Sequence, residues 1–101
     1  MDYREVFKKV LLSRAHCNLG KDGITAEFIA YVVKLLKKYK IIKIKALKSI
    51  AMKSDIDSLA SDISKLTNSY ILDIRGKQII LSKYPISRKE LKRSSKNLYN
   101  A

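Results

Sequence analysis

Two glycines bracket a lysine and an aspartate in Gly20-Lys21-Asp22-Gly23, and Thr25 follows as a helix-capping residue. Positions without a side chain let a backbone approach a phosphate closely, and a helix start behind them offers unpaired N–H groups with partial positive charge. Lys21 adds a mobile cation at the same place. Asp22 has the wrong sign for an anion site and reads as a local hydrogen-bonding residue of the turn. The same four residues would also serve as a plain strand-to-helix turn.

More cations recur at strand spacing. Lys43 and Lys45 alternate with isoleucine in IIKIKA, which places both on one face of a strand, and Arg75 and Lys77 flank Gly76. In a sheet of the expected order they could join Lys21 in one basic surface tracking a sugar–phosphate backbone, although each alone reads as an ordinary solvated cation. Lys34, Lys37, Lys38 and Lys40 either extend that stripe or are a solvated helix face. Tyr31, Tyr39, Tyr70 and Tyr84 could stack on unpaired bases, but they sit at or near apolar stripes, where core or rim packing is the plainer reading.

Catalytic chemistry finds little support. His16 and Cys17 are adjacent, so on a strand they point to opposite faces; Cys17 reads as buried and inert, His16 as a polar surface residue. Asp55, Asp57 and Asp62 belong to a helix start and its outer face. With one histidine, one cysteine and no metal-ligand spacing, the expectation is a non-enzyme without cofactor, metal or small-molecule substrate.

The 101 residues carry a formal net charge of +13. The excess is +2 over 1–19, +7 over 20–53, zero over 54–83 and +4 over 84–101. Localised Lys and Arg with scarce Glu are the footprint of a nucleic-acid binder. No apolar run is long enough to cross a bilayer and no secretory signal is evident, so a monomer in the reducing cytoplasm, away from membranes, is expected. Abundant Ile and Lys with little Gly and Pro suggest a thermophilic archaeal source.

The elements that must position these groups follow from periodicity. Tyr3, Val6, Phe7, Val10 and Leu11 predict an amphipathic helix over 2–12, and alternation predicts a strand over 14–19. Thr25 caps a helix whose stripe is Phe28, Ile29, Val32, Leu35, Leu36 and Tyr39. A β-branched run predicts a strand over 41–47. Ser54 and Asp57 suggest a capping box for a helix with Ile56, Leu59, Ala60, Ile63 and Leu66 inward, ended by Asn68. Residues 70–75 and 78–84 predict a hairpin turning at Gly76-Lys77. The order α-β-α-β-α-β-β implies a small two-layer α/β sandwich with a four-stranded mixed sheet. Residues 1–84 read as one domain and 85–101 as a basic tail, helical or disordered.

These residues resemble the CRM domain, or YhbY, family. The likeness runs over residues 14–84 and rests on LGKDGIT, FIAYVVKLLKKYKIIKIK, a second amphipathic helix, and LDIRGKQIILSKY, in that order. The resemblance implies a fold similar to the C-terminal domain of translation initiation factor 3. It also implies RNA binding through the GxxG loop, with ribosomal RNA in a pre-ribosomal particle as partner. The candidate RNA-binding set is Gly20, Lys21, Asp22, Gly23, Thr25, Lys43, Lys45, Arg75 and Lys77. The alternative from another class is a small basic DNA-coating protein.

Overall fold

The computed structural model describes residues 3–52 and 54–86. Its elements are α1 (Tyr3–Leu12), β1 (Cys17–Leu19), α2 (Ala26–Tyr39), β2 (Ile41–Ala46), α3 (Lys48–Ala51), α4 (Ile56–Thr67), β3 (Tyr70–Arg75) and β4 (Gln78–Ser82). The expected order is present, with α3 added. Its four residues are too few to leave a periodic signal.

The four strands lie in the order β1-β2-β4-β3. β2 is parallel to β1 and antiparallel to β4, and β4 is antiparallel to β3. The second strand of the hairpin thus enters the middle of the sheet and the first strand takes the edge. Ile41, Ile42, Ile44, Ile79, Ile80 and Leu81 are all fully buried, because the two central strands are covered on both faces.

Each face has its own core. On one, Val32, Leu35 and Leu36 of α2 and Leu59, Ala60 and Ile63 of α4 pack on Leu19, Ile42, Ile44, Ile79 and Leu81. The sheet and the α2–α4 layer are the two layers expected, and α1 adds a further layer on the other face. On the reverse face, α1 lays Tyr3, Val6, Phe7, Val10 and Leu11 over Ile41, Leu72, Ile80 and Ile86. The five α1 positions are those that helical spacing selects. Burying each large aliphatic stabilises the fold by about 1.5–3 kcal/mol. Ile86 carries packed chain two residues past the expected domain boundary, and the expected tail from residue 87 onward lies outside the described residues.

Two helix details differ from expectation. Asp55, not Ser54, is the N-cap of α4, and its side chain makes no capping bond, so the Ser54–Asp57 box is absent. Leu66 is 60% exposed. Thr67, four residues after the buried Ile63, takes the inward direction instead, and its hydroxyl donates to the Ile63 carbonyl at 2.7 Å. Asn68 ends the helix in the left-handed conformation, as its type suggests (φ 54°, ψ 50°).

Candidate nucleic-acid interface

The register opposes Leu19 to Ala46, Lys45 to Gln78, and Gln78 to Arg75. The ends of β1, β2 and β3 and the start of β4 therefore meet at one end of the sheet. Three connections emerge there: the GKDG loop, Leu47 leading into α3, and the Gly76-Lys77 turn. The Leu47 N–H donates to the Leu19 carbonyl and the Ala46 N–H to the Lys77 carbonyl, both at 2.8 Å. In open α/β sheets, ligands bind outside the carboxyl ends of parallel strands, which is where this cluster stands.

The GKDG loop closes on itself through the Gly23 N–H and the Gly20 carbonyl at 3.0 Å. Gly23 has φ +73°, a conformation other residues adopt at a cost, whereas Gly20 does not need positive φ. A Cβ at Gly20 would meet only Leu47 Cδ1 at 3.7 Å, and one at Gly23 only Ile50 Cδ1 at 3.9 Å. The loop thus rests over α3. Two residues on, Thr25 Oγ1 accepts the Phe28 N–H at 3.0 Å. The N–H groups of Ala26 and Glu27, the first two residues of α2, have no intrahelical acceptor. Lys21 and Asp22 are exposed.

Lys45, Arg75 and Lys77 are exposed at the same sheet end. Lys48, the first residue of α3, joins them; no periodicity pointed to it, because its place depends on the unforeseen helix. The Arg75 Nε donates to Asp73 Oδ2 at 2.7 Å, so part of its charge is already matched.

Lys43 is a correction. It shares the strand face of Lys45, but it is 3% exposed, and its Nζ donates to the carbonyls of Leu11 at 2.9 Å and Ser13 at 2.8 Å. The end of α1 covers this half of the strand, so the ammonium satisfies carbonyls that the helix end leaves without partners. No phosphate can reach it there.

His16 is a second correction. Its Nδ1 accepts the Lys43 N–H at 3.0 Å, and its ring lies 4.8 Å from that of Tyr39. Burial holds its pKa below the usual 6.5, and the charge of Lys43 acts in the same direction. Cys17, on the opposite strand face, packs against the α2–α4 core, and burial pushes its thiol up to about 11. A thiol that stays protonated at neutral pH is a poor nucleophile. Tyr31, Tyr39, Tyr70 and Tyr84 are all exposed rim residues, between 39% and 49%. Lys38 Nζ stands 5.2 Å from the Tyr39 ring centre, and the ammoniums of Lys40 and Lys83 stand 6.0 and 5.6 Å from that of Tyr84.

Chemically, the loop end offers mobile cations around a turn and a helix start, the equipment for holding a polyanion without reacting with it. No helix among the described residues is long and apolar enough to cross a membrane. The fold is that of a small α/β domain on a mixed four-stranded sheet. The chain belongs to the CRS1/YhbY (CRM) domain family, whose model matches residues 3–83. Among solved structures, it is similar to the hypothetical protein SAV1595 from Staphylococcus aureus, described as a candidate RNA-binding protein. That match has 21% identity and a TM-score of 0.62, and covers 88% of this chain and 91% of that one. No curated protein matches significantly.

Proposed function

We propose that the chain is a non-catalytic RNA-binding module that grips structured RNA at the loop end of its sheet, as a cytoplasmic monomer. Its target on this reading is ribosomal RNA during subunit assembly. Family membership supports RNA as the partner. The observation that carries the reading is the register that brings Lys21, Lys45, Lys48, Arg75 and Lys77 to the end where GKDG feeds α2.

Each residue then has a role. Gly23 holds the turn, Gly20 keeps the loop surface flat, and Thr25 fixes the helix start whose free N–H groups face an incoming phosphate. Asp22, exposed and making no side-chain hydrogen bond to the described residues, takes no anion. The lysines and Arg75 neutralise phosphates along a strand. Recognition by shape and backbone suits A-form RNA, whose narrow major groove hides the base edges.

Crosslinking in cell extract, followed by sequencing of the attached RNA, tests this. Recovery of mainly ribosomal precursor is expected; a spread over other transcripts would remove the ribosomal target. Duplex DNA competing as well as RNA would replace the reading with the DNA-coating one.

A further inference from the structure

At the opposite end of the sheet, on the face covered by α1, an open cleft of about 200 Å³ is lined by Val6, Lys9, Val10, Ser13, His16, Tyr39 and Ile41. Sites for drug-sized molecules measure roughly 300–1,000 Å³, so this one has room for a single planar ring system. Its apolar part comes from Val6, Val10 and Ile41. The rings of His16 and Tyr39, tilted 55° to one another, add two flat π surfaces.

The polar equipment has one sign. Lys9 lines the cleft and is exposed, Lys38 stands over Tyr39, and no Asp or Glu is among the lining residues. His16 supplies a directed donor. Because Nδ1 is committed to the Lys43 N–H, the proton of the neutral ring sits on Nε2, which has no partner among the described residues. An N–H beside flat rings and an apolar floor suits the edge and faces of a nucleobase, and cations at the rim suit its phosphate.

We propose that this cleft receives one unpaired base of an RNA strand, with the adjoining phosphate against Lys9 and Lys38. The inference rests on the RNA-binding reading but uses a different surface. The chain would then hold a duplex backbone at the GKDG end and a single-stranded neighbour at the α1 end, a combination that selects junctions between paired and unpaired RNA.

The test uses the whole chain, in which His16 is the sole histidine and its Cε1–H resonance is therefore unambiguous. The probes are an eight-nucleotide oligouridylate and a blunt RNA duplex. The His16 and Tyr39 ring resonances are expected to shift with the single strand and not with the duplex. Tyr39→Leu should weaken oligouridylate binding at least about fivefold, while Tyr39→Phe retains it, since stacking needs the ring and not the hydroxyl. Tyr31→Leu, on α2 outside the cleft, should retain it as well. If the Gly20 and Gly23 amides shift with RNA while His16 stays still, the cleft is no base site and the RNA-binding reading stands. If neither region responds to either RNA, both fall.

Discussion

The main-chain N–H of Lys43 donates to Nδ1 of His16 at 3.0 Å, and the main-chain N–H of His16 donates back to the Lys43 carbonyl at 2.8 Å. The imidazole thereby extends the β1–β2 pairing by one rung, standing in for a peptide group. That rung requires Nδ1 to be unprotonated. Burial, helped by the Lys43 charge, keeps the folded pKa below 6.5, so on acidification the unfolded chain takes up the proton first. Stability from this group is full above about pH 6.5 and is lost as pH falls towards the folded pKa. A titration followed by NMR should place the His16 midpoint below 6.5, and His16→Gln should flatten the urea midpoint between pH 7 and 5. A midpoint at or above 6.5 contradicts the arrangement.

Lys43 tests the buried ammonium. Lys43→Met keeps the aliphatic stem but leaves the Leu11 and Ser13 carbonyls without their donor, which should cost about 1–3 kcal/mol of stability. RNA affinity of the folded variant should change less than twofold. Thermal melts and binding well below the transition separate the two effects, and a large affinity loss with unchanged stability would mean the side chain reaches RNA after all.

The two glycines of the loop should behave differently. Gly23→Ala forces a Cβ into positive φ and should destabilise by about 1–2 kcal/mol. Gly20→Ala meets only ordinary contact with Leu47 and should stay within about 0.5 kcal/mol. Denaturant melts of both variants check this.

Charge reversal isolates the phosphate contact. Lys21→Glu, exposed in the loop, should leave stability within about 0.5 kcal/mol and lower RNA affinity at least tenfold, or about 1.4 kcal/mol. Lys65→Glu, exposed on α4 away from the loop end, makes the same change in net charge. Equal losses in the two variants would show that only total charge matters.

Salt dependence counts the contacts. With four or five of the loop-end cations engaged, log K against log salt should slope by about −3 to −4.5, depending on strandedness. Isothermal or fluorescence titrations between 50 and 200 mM salt, roughly the range over which the effect is large, give the slope. A value near zero removes the electrostatic account.

Spacing reveals what a segment buries, and it does not reveal what comes to lie on it. Tyr3, Val6, Phe7, Val10 and Leu11 announce an apolar helix face, and all five pack as that face. Gly76-Lys77, Thr25 and Asn68 act through local geometry and are equally readable. Lys43 and Lys45 look equivalent because alternation assigns a face but not its cover; only the helix end arriving from about 30 residues upstream distinguishes them. His16 misleads for the same reason, since its partner is a peptide group 27 residues away. Lys48 joins the loop end through a helix of a single turn, below the length at which periodicity can be seen.

The place of β4 bears on how the protein can be made. Gln78–Ser82 is the last strand among the described residues, yet it lies between β2 and β3 and hydrogen-bonds to both. During synthesis, β2 and β3 leave the ribosome facing a gap that nothing earlier in the sequence fills. Until residue 82 has emerged, each presents an unpaired, isoleucine-bearing edge, the kind of surface that recruits other chains. Pairing of β2 with β3 across the sheet therefore waits for β4, and the protein is most exposed to misassembly on the ribosome itself, in the interval before that strand arrives.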